Sequence, residues 1–429
     1  MRRVPPVTAQ RPEVAVLFGC VDGWNGQGEP LDELAGLAEA ADVGVAARVT
    51  QRLPKPVAST YIGKGKVEEL RRAVAAAGAT LAIADMDLSP AQARNLMRDV
   101  GVRIVDRSEL IMDIFARRAR TAQAQLQVEL AQLQYALPRL RGQWSHLDRY
   151  RGGGVGTRGP GEKQIETDRR LVQKRIQDLK ARLREQERRT RQSIAARANA
   201  QQVALAGYTN TGKSTLFNAL TGADVYTADR LFATLDTRTR RWEIPGCGEL
   251  LLSDTVGFVR DLPHHLVASF HATLEEVIEA DLLLHVVDAS DPDAARRMRA
   301  VREVIAEIEA DAVPSIVVLN KVDRVVDTME LQALRNAEPG AVVVSARTGQ
   351  GLDELAARVK AHFAAQRRRF RVSIPLAAGR VMAELRRLAT IERTEASDDC
   401  LTFGFSIDHR QVPRLKAWAS AAQLSLERS

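Results

Sequence analysis

A chain of 429 residues exceeds what one hydrophobic core usually organises and points to about three domains. With 45% hydrophobic and 27% charged residues it has the composition of a folded protein, which excludes wholesale disorder. The net charge of +8 is concentrated: residues 141–197 carry 16 basic and 7 acidic side chains, so this stretch alone reaches +9 and the remainder is near neutral. Such a segment suits a polyanionic partner such as nucleic acid, a solvated helix face being the plain alternative.

Cys20, Cys247 and Cys400 lie far apart with no CxxC pair, which argues against a disulfide framework or zinc cluster and fits a reducing compartment. The first residues, MRRVPPVTAQRPE, hold no apolar h-region, and nowhere do about 18 apolar residues run together. The expectation is a cytosolic protein that does not span a membrane, with a peripheral place at a membrane surface left open.

In chain order, residues 1–107 alternate short apolar runs (14–19, 43–49, 79–85, 102–106) with helix-like stretches, the pattern of a small α/β domain with a parallel sheet. Within it, Tyr61-Ile62-Gly63-Lys64-Gly65-Lys66 opens a helix. A glycine–lysine loop there can hold phosphate, or be only a tight turn. In residues 108–199, Leu126, Leu130, Leu133, Leu137 and Leu140, then Val172, Ile176, Leu179 and Leu183, form two 3.5-residue seams. The glycine-rich stretch 152–161 between them cannot continue a helix, so the seams should fold back as a basic antiparallel helical hairpin with the glycines at its tip. Arg149, Arg151 and Arg158 flank that tip and are candidate RNA contacts. Residues 200–366 again alternate strands (203–207, 250–254, 281–289, 315–320, 341–346) with helices, as a parallel sheet with helices on both faces requires. Residues 367–429, after the basic stretch Arg367-Arg368-Arg369, offer a strand, a helix, strands near 390–407 and a final helix, a small α+β domain. The fold class is therefore α/β.

Gly207-Tyr208-Thr209-Asn210-Thr211-Gly212-Lys213-Ser214 follows a strand and precedes a helix, the setting a phosphate-binding loop requires. Its N–H groups and those of Thr215 would hold phosphates, Lys213 would reach the β/γ oxygens, and the Ser214 hydroxyl would bind Mg²⁺. Asp254-Thr255-Val256-Gly257 ends another strand, where the carboxylate can hold the metal through water and the Gly257 amide can meet the γ-phosphate. Asn320-Lys321-Val322-Asp323 places a carboxylate where it accepts from the N1 and N2 donors of guanine, which adenine lacks, and so selects GTP over ATP. Ser345-Ala346-Arg347 fits the loop backing a guanine pocket. Four motifs in order at strand ends indicate a GTPase domain. Thr234, within Phe232-Ala233-Thr234-Leu235-Asp236, is the candidate switch threonine for Mg²⁺ and γ-phosphate, with Thr227 and Thr237 as rivals.

Beyond these generic signatures the chain resembles the HflX family of ribosome-associated GTPases. The resemblance rests on STYIGKGKVEEL at 59–70, DRSELIMDIFARRARTAQAQLQVELAQLQY at 106–135, RGPGEKQIETDRR at 158–170 and TVGFVRDLPHHLVASF at 255–270, besides the GTPase motifs. It favours Thr234 over its rivals, and it implies a protein that binds the large ribosomal subunit and whole ribosomes with GTP and splits or rescues stalled ribosomes under stress. The family usually has Thr where this chain has Lys163, and Pro where it has Thr237.

Phe258 stands where Ras-like enzymes place the glutamine that orients water, which predicts slow unaided hydrolysis. His264 and His265 lie just downstream, where they could assist the chemistry or serve the fold. Asn210 occupies a position that coordinates K⁺ in several GTPases lacking the glutamine, or else braces its loop. The expected state is a monomer. Two alternatives stand beside this reading: an ATP- or GTP-using RNA-remodelling enzyme with Gly63–Lys66 in a second nucleotide site, and a signalling GTPase acting on a protein partner.

Overall fold

The computed structural model describes residues 13–20, 30–53, 55–140, 161–196, 200–223, 231–232, 237–245, 247, 250–260, 271–397, 399–422 and 424–428. Strands β1 (Val14–Cys20), β2 (Gly44–Gln51), β3 (Leu81–Ala84) and β4 (Arg103–Val105) form an all-parallel sheet in the order β2-β1-β3-β4. Alternation along β1 explains its continuous apolar run. Val16 and Phe18 enter one core with Val67, Leu70 and Val74 of α2 (Lys64–Ala77) and Leu96 and Val100 of α3 (Pro90–Val100). Ala15 and Leu17 enter the other with Leu34 and Leu37 of α1 (Asp32–Ala40) and Ile111 and Phe115 of α4 (Arg107–Arg118). Helix starts follow their caps: Ser89 and Gln92 form a reciprocal capping box on α3, and the Asp106 carboxylate accepts from Glu109 N at α4.

The two seams become α5 (Ala122–Ala136) and α6 (Gly161–Ala196). Leu130, Ile176, Leu179 and Leu183 are buried together, flanked by Leu126, Leu133, Leu137 and Val172. Arg175 donates to both oxygens of Glu129 at 2.7 and 2.9 Å, a bidentate tie across the pair. Arg139 fixes the hairpin's base to the N-terminal sheet by donating to Leu88 O at 2.6 Å and to Asp106 Oδ2 at 3.1 Å. Arg149, Arg151, Arg158 and most of the glycine stretch lie outside the described residues.

Strands β5 (Gln201–Gly207), β6 (Arg238–Trp242), β7 (Leu250–Asp254), β8 (Leu282–Asp288), β9 (Ser315–Asn320) and β10 (Val342–Val343) form a sheet ordered β10-β9-β8-β5-β7-β6. Five strands are parallel, as the apolar runs predict. One edge strand that sequence reading did not find, β6, joins the sheet antiparallel to β7. Its sequence, RTRRW, buries only Trp242 and so carries none of the apolar signal by which the other strands are read. Helices α7 (Lys213–Thr221), α8 (His271–Ile278), α9 (Ala294–Glu307) and α10 (Thr328–Ala337) complete this part. Its core is continuous with that of the N-terminal sheet: Phe115 and Ile111 share one cluster with Tyr208, Phe232, Phe258 and Val304.

Residues 1–242 and 249–352 make one compact unit, and 243–248 with 353–429 make a second. The second holds α11 (Leu352–Ala365), β11 (Arg367–Pro375), α12 (Gly379–Leu388), β12 (Thr390–Ala396), β13 (Cys400–Asp408), α13 (Val412–Ala421) and β14 (Leu426–Arg428). Its antiparallel sheet runs β12-β13-β11-β14. Arg367–Arg369 opens β11 rather than preceding it: strict alternation sends Phe370, Val372 and Ile374 into the core and leaves Arg369, Arg371 and Ser373 outside. Among the described residues no helix is long and apolar enough to cross a membrane.

Candidate nucleotide-binding site

The site is built at the carboxyl ends of β5, β7 and β9. After β5 the chain turns through Asn210 and Gly212, at φ 60° and 88°, before α7 begins at Lys213. Side chains cannot replace two of these glycines: a Cβ on Gly207 would lie 2.3 Å from Val286 O, and one on Gly212 would lie 2.5 Å from Asn320 Nδ2. The Thr211 hydroxyl donates to Tyr208 O at 3.0 Å and holds the turn. Lys213 is buried and donates to Gly207 O at 3.1 Å and Tyr208 O at 2.7 Å. Burial lowers its pKa to about 8, so a polyphosphate beside it would restore the charge that burial disfavours.

Ser214 Oγ donates to Asp254 Oδ2 at 2.7 Å, which brings the hydroxyl of one motif to the carboxylate of another. Two oxygen donors at that separation fit a hard cation such as Mg²⁺. The neighbouring Thr255 hydroxyl turns inward to Leu205 O at 2.6 Å, Val256 is buried, and Thr215 lies in the first turn of α7. Gly257 lies against the phosphate loop, where a Cβ would stand 2.8 Å from Thr209 Cγ2 and 2.9 Å from Lys213 Nζ. Beyond it, Thr209 N donates to Phe258 O at 2.7 Å and Phe258 N to Gly207 O at 3.1 Å.

On the base side, Asn320 organises three segments. Its Nδ2 donates to Thr211 O at 2.9 Å while its Oδ1 accepts from Ala346 N at 3.0 Å. Lys321 donates to Asn210 O at 2.6 Å and pairs with Asp288 at 2.7 Å. Asp323 is exposed, as a group awaiting a base should be, and accepts from the Ser345 hydroxyl at 2.6 Å. That hydrogen bond holds its carboxyl below the ordinary carboxylate pKa. Val322 and Arg347 flank it. The three strand-end motifs and the Ser345 loop are thus brought together. Of the switch candidates, Phe232 is described, buried with φ 55° and edge-on to Phe115 at 4.6 Å between ring centroids. Ala233, Thr234, Leu235 and Asp236, and likewise Thr227, His264 and His265, lie outside the described residues.

Sequence reading misses Asp288, the partner of Lys321, because an aspartate ending a strand has no distinguishing spacing. It also misses a cluster around Tyr208. The Tyr208 hydroxyl donates to Glu33 Oε2 at 2.7 Å and accepts from Arg260 N at 2.7 Å. Arg107, almost fully buried, pairs with Glu33, donates to Asp85 Oδ1 at 2.8 Å and reaches Arg260 O at 3.1 Å. The Arg260 side chain pairs with Asp85 at 3.0 Å. Burial raises the Glu33 pKa, but Arg107, the Tyr208 hydroxyl and Arg260 outweigh it and the net shift is downward.

A phosphate loop on one strand, a metal-side carboxylate on its neighbour and a base pocket on a third define a P-loop GTPase. Three family models match: "GTP-binding GTPase N-terminal" over 28–116, "GTP-binding GTPase Middle Region" over 118–197 and "50S ribosome-binding GTPase" over 202–321. The GTPase HflX of Escherichia coli K12 is 44% identical over 375 residues, covering 86% of this chain and 88% of its own. That of Alkalihalophilus pseudofirmus is 42% identical over 391 residues, covering 90% and 91%. This chain therefore belongs to the HflX family of GTPases, binds guanine nucleotides and hydrolyses GTP. A GTP-binding protein from the archaeon Sulfolobus solfataricus, solved with GDP, is 24% identical with a TM-score of 0.42, covering 81% of this chain and 97% of that one.

Proposed function

We propose that this GTPase binds the large ribosomal subunit and whole ribosomes in its GTP state and splits or rescues stalled ribosomes under stress, acting as a cytoplasmic monomer. The observation that carries the reading is a groove of about 600 Å³ along the α5–α6 pair, where Arg170, Lys174, Lys180, Gln134, Gln173 and Gln177 rim an apolar floor of Leu137 and Ile176. Cationic and amide donors with no aromatic platform suit the phosphates and shape of folded RNA. Family membership, and the description of the model matching 202–321, supply the ribosome as its source.

In this reading residues 1–107, 108–199, 200–366 and 367–429 are the working domains. The N–H groups of the 207–215 loop cradle the phosphates, Lys213 neutralises β/γ oxygens, Gly257 and Thr234 sense the γ-phosphate, and Asp323 with Ser345, Ala346 and Asn320 fixes guanine. Ser214, Thr234 and, through water, Asp254 would hold Mg²⁺, which would offset the negative charge of the phosphates. Asn210 would hold a K⁺ ion, a role that equal rates in KCl and NaCl at matched ionic strength would refute. Lys213→Ala or Ser214→Ala should abolish tight GTP binding or turnover with the fold intact. Co-sedimentation with ribosomes in a GTP analogue but not in GDP is the expected result. Equal sedimentation in both would refute the reading.

A further inference from the structure

Asp288 ends β8 and is the strand partner of Asn320 at the end of β9, so it stands where the base-side loop leaves the sheet. Its two carboxylate oxygens have separate duties. Oδ1 accepts from Ser290 N at 3.0 Å and from the Ser290 hydroxyl at 2.6 Å, which restrains the group. Oδ2 pairs with Lys321 Nζ at 2.7 Å, and both side chains are only 15% exposed. The same ammonium donates to Asn210 O at 2.6 Å. The lysine stem passes the phosphate loop on its way, since a Cβ on Gly212 would stand 3.7 Å from Lys321 Cε. Lys321 itself is at φ 61°, a left-handed backbone that a lysine keeps only where its surroundings hold it. Left to itself, a lysine so placed would sample many rotamers and turn its strongly hydrated ammonium to water. The Asn210 carbonyl is a neutral acceptor, whereas a charge-assisted bond to a carboxylate is about twice as strong.

We infer that Asp288 is a positioning residue for guanine nucleotides: held by Ser290, it pins the Lys321 side chain across the phosphate loop and so locks the loop after β9 to the loop after β5, in the arrangement that takes base and phosphates together. Asn320 makes the neighbouring tie, to Thr211 O at 2.9 Å. Two consecutive residues of one loop thus fasten two consecutive residues of the other, and the carboxylate of β8 secures the outer of the two bonds. Lys321 meets Asn210 through a main-chain carbonyl, and none of Asp288, Ser290 and Lys321 is assigned to the γ-phosphate, so the tie serves GDP and GTP alike. Loss of such uniform binding raises KM and leaves kcat unchanged, and where turnover is slow KM follows the dissociation constant.

The inference rests on placing guanine at Asn320–Asp323 and needs no ribosome. Its test uses the full chain: fluorescence titration with GDP and with a non-hydrolysable GTP analogue, beside steady-state GTP hydrolysis. Asp288→Asn, which keeps the shape and removes the charge, should weaken both ligands equally, by about tenfold, and raise KM for GTP by the same factor with kcat within about twofold. Lys321→Met should do the same. The double variant should bind no more weakly than Lys321→Met alone, because the carboxylate acts through the ammonium. Should Asp288→Asn unfold the chain, Ser290→Ala loosens the carboxylate more gently and should weaken both ligands together by about threefold. A lowered melting temperature with unchanged affinities, a loss confined to the GTP analogue, or losses that add in the double variant would overturn the inference. Failure of the guanine placement itself would show separately, as a base preference indifferent to Asp323→Asn.

Discussion

At the scale of single residues, the proposed base selectivity rests on one carboxylate, that of Asp323. Asp323→Asn exchanges an acceptor pair for a mixed amide, so binding should lose its preference for guanine and admit xanthine nucleotides. Competition binding with GDP and xanthosine diphosphate measures this, and an unchanged preference refutes the role. His285, on β8 behind the phosphate loop, gives a second prediction. Burial pushes its pKa down to about 4, with Arg302 and Lys213 adding to the effect. The folded state therefore binds fewer protons than the unfolded one between pH 6.5 and 4. The stability that follows is complete above pH 6.5 and is lost as pH falls toward 4, on the order of 3 kcal/mol. Asp106 contributes the opposite slope: burial raises it to about 6, so its contribution is present below pH 3.8 and lost as pH rises through 6. Comparing wild type with His285→Leu by denaturant unfolding across this range isolates the histidine. Parallel curves would contradict its buried neutral state.

At the scale of elements, the segment after Gly257 carries the prediction about rate. Phe258 is buried against the phosphate loop and its ring can neither donate to nor orient water. Unaided turnover should be well below one per second and rise at least tenfold with ribosomes, measured as phosphate release under multiple turnover. Equal rates with and without ribosomes would refute this. Elements also show what a sequence yields to reading. The phosphate loop, the Asp254–Gly257 and Asn320–Asp323 strings and both helical seams were legible because each is a local string whose spacing is itself the physical requirement. Strand β6 was not, since an edge strand of sequence RTRRW buries only Trp242 and has no apolar run to betray it. Nor was the Glu33–Arg107–Tyr208–Arg260 cluster: its members are separated by 74, 153 and 175 positions, and nothing local marks a buried arginine from an exposed one.

At the scale of the whole molecule, charge is partitioned. The stretch 141–197 carries more than the entire net charge, and α6 within it presents Arg170 and Lys174 to solvent. Replacing Arg151 and Arg158 with Ala should weaken ribosome binding and flatten its salt dependence by roughly one unit of log–log slope per lost phosphate contact. Affinities measured across a salt series check this, and an unchanged slope counts against the tip as the RNA contact. Deleting 152–161 should spare GTP binding and abolish subunit separation, followed by light scattering. A loop-deleted protein that splits ribosomes at the wild-type rate would refute that role.

The continuous core between the N-terminal sheet and the GTPase sheet also bears on how the chain is made. Ile111 and Phe115 pack with Phe232, Phe258 and Val304, which leave the ribosome more than a hundred residues later. At about 5–20 residues per second, the first-made face of α1 and α4 stays uncovered for on the order of ten seconds. During that interval its apolar side chains are open to misassociation. Until residues 232–304 emerge, that face has no partner from its own chain, so a chaperone that shields it should raise the yield of folded protein.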